Sequence, residues 1–186
     1  KKIQQKYQSF KISVSHTTRK PRQNEIDGVD YFFVKNEEFK KLADDGKFYE
    51  YAKIFDNYYG TSKDQVLNSL NRGKDVLFDI DWQGTQQLKK NTTLSLVTFF
   101  ILPPNKNVLK QRLLNRHEGQ EKVINERMSK FSEEVSHWNE YNYILINDDL
   151  DQCYNKILDI ISSEKKGQKQ KQNRDEIKKK VEELTK

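Results

Sequence analysis

Cysteine is nearly missing from this chain. Cys153 stands alone, which excludes an internal disulfide and a cysteine-built zinc cluster. One free thiol suits a reducing compartment, so the cytoplasm is the expected setting. Long apolar runs are missing too: nothing approaches the roughly 20 residues needed to cross a bilayer, and no signal-peptide pattern opens the chain. A soluble protein with no membrane partner is expected. No internal repeat is apparent. Acidic excess is also lacking, since 34 Lys and Arg face 28 Asp and Glu, for a net charge of +6. That balance fits an anionic partner such as a nucleotide, a nucleic acid or an acidic membrane. Much of it falls in residues 165–186, however, so it says little about the folded part. Aromatic residues are plentiful. With 34% hydrophobic and 33% charged residues the composition is polar, but 10 Phe and 9 Tyr argue against disorder. The length of 186 residues allows one domain with one sizeable core.

Hydrophobic periodicity then divides the chain. Residues 1–9 form a polar helical stub with Ile3 and Tyr7 one turn apart. Strands are expected at 10–15, 29–34 and 47–55, with a turn at 57–62. Helices are expected at 36–46, with Asn36 as N-cap and Gly46 as the stop, and at 62–73. The apolar run 75–81 ends in acids and precedes a helix starting near Trp82. Residues 94–104 read as a strand buried on both faces, which suits a parallel sheet. Helices at 105–116 and 121–141, a strand at 142–147 and a helix at 150–164 complete the pattern. Alternating strands and helices in the middle and C-terminal parts predict an α/β parallel sheet. Residues 10–60 predict an inserted antiparallel lobe. The stretch 165–186 has no core of its own and reads as solvated or as a helix, with Ile177, Val181 and Leu184 along one face.

Three groups of residues carry candidate chemistry. In HTTRKPRQNEIDGVDYFF (16–33), Arg19 and Arg22 flank Pro21, and the planar arginine fork suits a phosphate. Ser15, Thr17 and Thr18 add hydroxyl donors, although such a stretch alone also fits a solvated loop. Asp79 and Asp81 close an apolar strand two residues apart and so are expected on one face. An acid there could orient a metal-bound water or accept hydrogen bonds from a base. A helix N-cap would account for one of the two. Arg112 and Arg116 lie one helical turn apart, and Arg127 lies beyond the segment HEGQ. A solvated helix face is the plainer reading of those three.

Taken in order, these stretches resemble guanylate kinase (ATP:GMP phosphotransferase) from Ser13 to about Ser163. The matching phrases are SVSHTTRKPRQNEIDGVDYFFV, FYEYAKIFDNYYGTS, DVLFDIDWQGTQQL, FILPP, RLLNRHEGQEKVINERM and EVSHWNEYNYILINDD. The resemblance implies a parallel sheet flanked by helices, of the P-loop nucleoside-monophosphate-kinase type. An inserted, mainly antiparallel β lobe (14–72) would bind GMP on a core of 1–13 and 73–164, with a helical lid at 112–128. It also assigns roles. Ser15, Arg19, Arg22, Tyr31 and Tyr59 would hold the GMP phosphate, with Glu25 helping to position them. Glu50, Thr61 and Asp81 would read guanine, whose N1–H and 2-amino group are donors that match carboxylates. Arg112, Arg116 and Arg127 would stabilise the transferring phosphoryl group, and Asp79 would lie near Mg²⁺ as an outer-shell ligand. Arg116 and Asn147 would face ATP, with Asn147 near its adenine. The implied partners are GMP and ATP, with Mg²⁺ as cofactor and no nucleic acid required, in a monomer or homodimer.

One departure stands out. The family's phosphate loop, G-x-x-x-x-G-K-[ST], is matched by none of the seven glycines. Because KKIQQKYQ resembles the end of the helix that follows that loop, the loop is expected just upstream of residue 1. It is either omitted or lost, and no P-loop lysine is assigned. The same absence leaves a second expectation open, a non-catalytic guanylate-kinase-like scaffold that grips phosphopeptides.

Overall fold

The computed structural model describes residues 2–116 and 121–185, and the chain divides into two compact units, Lys1–Ser95 and Leu96–Lys186. The first unit opens with α1 (Lys2–Lys6) and β1 (Phe10–Ile12). β1 pairs in parallel with β6 (Asp75–Leu77), and Ser13 N–H and Oγ extend the ladder onto the Leu77 carbonyl at 3.0 and 3.2 Å. Between these strands lies a four-stranded sheet of β2 (His16–Thr17), β3 (Phe32–Phe33), β4 (Phe48–Ile54) and β5 (Asn57–Ser62), in the order β3-β2-β5-β4. Its β2–β5 and β4–β5 ladders are antiparallel, whereas β2–β3 is parallel. The lobe sheet is therefore mixed.

Local chemistry sets these elements. The residues expected as a turn, 57–62, form β5 instead. The reversal comes earlier, at Phe55–Asp56, where Phe55 takes a positive φ of 54° and frees Asn57 to pair with Ile54. Helix α2 (Asn36–Asp44) carries Glu37 and Glu38 in its first turn, where the helix dipole favours acids. Its cap is Lys35, without a side-chain bond, rather than Asn36. Phe39 projects from α2 onto the sheet and packs on Phe48 and Tyr58, with ring centroids 4.8 and 5.5 Å apart. Gly60 makes that approach possible. A Cβ there would lie 3.1–3.2 Å from Phe39, Tyr51 and Phe48. After α3 (Lys63–Leu70) and β6 comes α4 (Trp82–Lys89), capped by Asp81, whose carboxylate accepts the Gly84 N–H at 2.9 Å.

The second unit contains β7 (Phe99–Leu102), α5 (Lys106–Arg116), α6 (Glu121–Ser136) with a 3-10 turn at His137–Glu140, β8 (Tyr143–Ile146), α7 (Leu150–Lys165) and α8 (Arg174–Thr185). β7 and β8 form a four-residue parallel ladder. The expected single parallel sheet is thus represented by two parallel pairs, β1–β6 and β7–β8, that share no ladder among the described residues. The long apolar run 94–104 contributes only β7, and Ile101 in it is 49% exposed, so this strand is not buried on both faces.

The core of this unit reaches into the basic C-terminal stretch. Val181 and Leu184 of α8 join Leu102, Phe131, Val135, Tyr141 and Ile144 in one buried cluster, with Ile177 packed against it. The segment leading into α8 is also fixed. The Gln172 amide accepts from Ile144 N–H and donates to the Ile144 carbonyl, both at 2.8 Å, covering the outer edge of β8 as a further strand would. Arg174 donates to the Tyr141 and Asn142 carbonyls and lies 5.8 Å from the Trp138 ring centre. Leu184 is 2% exposed. Its replacement by Ala is therefore expected to cost about 2–4 kcal/mol, measured by denaturant unfolding. A solvated tail would show no change.

Candidate active site

Strand register gathers the candidate residues of the first unit. Paired residues in adjacent strands point to the same face of a sheet. Glu50 opposes Thr61, Ala52 opposes Tyr59, Tyr59 opposes Thr17, and Thr17 is level with Phe33. One face thus carries Glu50, Ala52, Tyr59, Thr61, Thr17 and Phe33. Ser15 and Tyr31 join it: the Ser15 and Thr61 hydroxyls are 3.5 Å apart, and the Tyr31 and Tyr59 rings meet at 6.0 Å. The opposite face holds the aromatic cluster around Phe39. A register slip between Phe48 and Glu50 separates the two roles, because it turns Phe48 toward Phe39 and His16 while Glu50 keeps the polar side.

The loop between β2 and β3 closes over one end of this face. Arg19 Nη2 donates to Glu25 Oε1 at 2.8 Å, and Arg22 reaches the same carboxylate with its backbone N–H (2.8 Å) and Nη1 (3.4 Å). The Arg19 guanidinium lies 5.4 Å from the Tyr31 ring centre and 5.8 Å from that of Phe33. Thr17 is fully buried and accepts the Arg19 N–H. Burial alone would raise the Glu25 pKa, but the bonds from Arg19 and Arg22 outweigh it and hold the carboxyl below its usual value. Burial likewise acts to lower the Arg19 pKa, and Glu25, with Tyr59, reverses it. The result is a preassembled cationic grip with ring walls, which is chemistry suited to a phosphate monoester.

At the other end lies a buried acid. Glu50 is 4% exposed. Burial is the main cause that pushes its pKa up to about 7; the nearby Asp81 charge adds to this, and hydrogen bonds from Thr61 oppose it. Asp81 caps α4, as the plainer reading of one of the two acids expected, and its charge acts on Glu50. Strand alternation does not place Asp79 and Asp81 together, because β6 ends at Leu77. Asp79 is exposed and Asp81 half-buried. Gly84 was not singled out from the sequence. A Cβ at this position would stand 2.5 Å from Glu50 Oε2, so glycine lets α4 pass over the carboxyl group without displacing it. A glycine inside a helical pattern is the one local signal that marks such a close approach.

In the second unit, Arg112 and Asn147 come together: Arg112 Nη1 donates to the Asn147 carbonyl at 2.9 Å and Nη2 to the Asp148 carbonyl at 3.4 Å. The Asn147 side-chain oxygen is buried and has no hydrogen-bond partner among the described residues. Arg116 is exposed at the end of α5 and Arg127 is half-buried on α6. Residues 117–120 of the expected lid lie outside the described residues. No group of three or more His, Cys, Asp or Glu able to hold a metal occurs among the described residues.

The Glu50 environment has a consequence for stability. The folded state keeps this proton up to about pH 7, whereas the unfolded chain releases it near 4.5. Folding stability therefore falls as pH rises from 4.5 through 7, and the cost is fully present above that range. Glu50→Gln removes it. The nucleotide-free variant is expected to gain stability over the wild type from pH 5 to pH 8, by on the order of 3 kcal/mol. Parallel pH profiles of urea unfolding for the two proteins would contradict the burial of this acid.

Comparison with known proteins agrees with this geometry. Residues 1–164 match the family model described as guanylate kinase. A curated guanylate kinase of Rickettsia felis is 51% identical over 157 residues, covering 84% of this chain and 81% of the relative. One from Haemophilus influenzae is 48% identical over 165 residues, covering 87% and 79%. The crystal structure of guanylate kinase from Anaplasma phagocytophilum superposes with a TM-score of 0.72 at 31% identity, covering 84% of this chain and 77% of that one. With residues 1–164 matching the family model and half of the residues shared with curated members over most of its length, the chain belongs to the guanylate kinase family.

Proposed function

We propose that the protein transfers the γ-phosphoryl group of ATP to GMP, giving ADP and GDP, and that the lobe-sheet face is its acceptor site. The observation that carries this reading is a buried carboxyl group, Glu50, set beside Asp81 on a face whose other end is closed by Arg19, Arg22, Glu25, Tyr31 and Tyr59. The span from arginines to acids suits a molecule with a phosphate at one end and hydrogen-bond donors at the other. Guanine offers N1–H and a 2-amino group, whereas adenine presents an acceptor at N1 that two carboxylates would repel. A phosphopeptide grip needs the arginines and tyrosines but gives no use to the buried acid.

The residue roles follow from this. Arg19 and Arg22, with Ser15, Tyr31 and Tyr59, would bind the GMP phosphate. Glu25 would keep both arginines aligned before GMP arrives, so little ordering remains to be done on binding. Thr61 would share guanine recognition with Glu50 and Asp81. A GMP phosphate oxygen is already ionised, so the attack needs alignment and charge neutralisation rather than a strong base. Arg112, Arg116 and Arg127 would neutralise charge on the transferring group. Arg112 has two of its nitrogens on backbone carbonyls, which fixes its plane and leaves further N–H donors. The buried Asn147 side-chain oxygen would accept from the adenine amino group. With no acidic cage among the described residues, Mg²⁺ would be held mainly by nucleotide phosphates and water, with exposed Asp79 reaching it through water. When bound, Mg²⁺ supplies charge neutralisation at the phosphates. The lone thiol, Cys153, is buried, which suits a cytoplasmic protein.

Two kinetic outcomes are expected of the full-length enzyme. Arg19→Ala or Arg22→Ala raises the GMP KM by about 10–100-fold, the loss of a charge-assisted hydrogen bond, and lowers kcat. Wild-type constants in both variants would remove the phosphate assignment. Glu50→Gln lowers the preference for GMP over AMP, because one acceptor for the guanine donors is lost, and an unchanged preference would contradict guanine recognition by this acid.

A further inference from the structure

We propose that Gln87 is a positioning residue for guanine recognition, holding α4 against β4 so that Asp81 and Glu50 keep the spacing a guanine edge requires. The inference rests on the acceptor-site reading above. Gln87 does not face that site. It lies one turn after Gly84 on α4, and its side-chain amide meets the backbone of Tyr51: Tyr51 N–H donates to Oε1 at 3.1 Å, and Nε2 donates to the Tyr51 carbonyl at 2.7 Å. β4 is the edge strand of the lobe sheet. The alternate residues of an edge strand turn both backbone groups outward, with no neighbouring strand to pair them. Gln87 supplies that missing neighbour for Tyr51, the residue immediately after Glu50.

The geometry ties three points of α4 to the acid pair. Asp81 begins the helix as its cap. Gly84, three residues on, leaves just enough room for the Glu50 carboxyl group. Gln87, three residues further, fixes the strand that carries Glu50. Spacings of three residues place all three on one helical face. Removing Gln87 takes away two directional hydrogen bonds from α4 to the backbone of β4 and leaves that edge of the contact to packing, such as that over Gly84. The helix and strand then rock, and the separation of the two carboxyl groups is no longer fixed. The arginine loop at the other end of the face is held by Glu25 and Thr17 and does not depend on α4.

The expected result is therefore a selective loss. The test is calorimetric binding of GMP and of IMP, which lacks the 2-amino group, to wild type, Gln87→Met, Gln87→Ala and Glu50→Gln. The Met side chain keeps the length and removes both hydrogen bonds. In Gln87→Met and Gln87→Ala the preference for GMP over IMP is expected to fall about tenfold, with IMP affinity nearly unchanged. Amide exchange at Tyr51 is expected to speed up in the same variants. An unchanged preference, or an equal weakening of both nucleotides, would overturn the proposal, the second because it marks a purely structural role. If Glu50→Gln leaves the preference unchanged, the acid-pair reading fails and the proposal falls with it. If Glu50→Gln lowers it while the Gln87 variants do not, the proposal alone fails.

Discussion

Glu50 occupies the inner face of β4, two residues from Ala52 and directly opposite Thr61, where water is excluded. Burying a carboxyl group is unfavourable unless the group stays neutral or gains partners. Here burial raises its pKa to about 7, so the group rests near the midpoint of its titration at neutral pH. Most of the surrounding structure can be understood as keeping it there. Thr61 is paired with it by the β4–β5 register, Gly84 gives it room beneath α4, and Asp81 is brought close by the same turn that starts the helix. The cost in the free protein is offset when a ligand arrives with donors for the charged form. On the proposed assignment, recognition is encoded as a buried acid set beside a helix-capping acid rather than as a shaped apolar pocket.

The two ends of the site solve opposite electrostatic problems. At the arginine end, positive charge is partnered by Glu25, which serves both arginines from one carboxylate. At the acid end, negative charge is reduced by keeping a proton on Glu50. Both ends are built on one face of a small mixed sheet, and the aromatic face behind it, packed on Phe39 of α2, gives that sheet rigidity. The bulge at Phe48/Glu50 lets successive buried side chains serve opposite faces. Without it, strict alternation would put Phe48 and Glu50 on the same side, and either the aromatic packing or the acid would be lost.

Much of this was legible in the sequence, for identifiable reasons. Arg19, Pro21 and Arg22 form a local pattern, and the acids of the DID segment stand beside a clear helix start. Each stretch alone also fitted a plainer reading, and only their order along the chain gave the resemblance that assigns them roles. Helix α2 announces itself by periodicity and by its stop, Gly46. What was not legible depends on non-local pairing. The stretch NYYGTS has turn-like composition, but its strand is imposed by ladders on both sides, and the reversal falls at Phe55, a residue with no turn preference. The basic C-terminal stretch shows its helix face, Ile177, Val181 and Leu184, but not the docking of that face, because its partners lie far away in the chain. Gln87 carried no signal of its own, and Gly84 only that of a glycine inside a helical pattern. Their roles exist only once α4 is laid across the edge of β4.

On the proposed assignment, guanine is received by a carboxyl group that is half protonated at neutral pH and becomes fully ionised on binding. Proton release on GMP binding reads this out at pH 7, by calorimetry in buffers of different ionisation enthalpy, for wild type and Glu50→Gln. The GMP phosphate contributes equally to both proteins, so the difference belongs to Glu50. The wild type is expected to release about half a proton more than the variant. Equal release by the two proteins would rule out ionisation of Glu50 on binding.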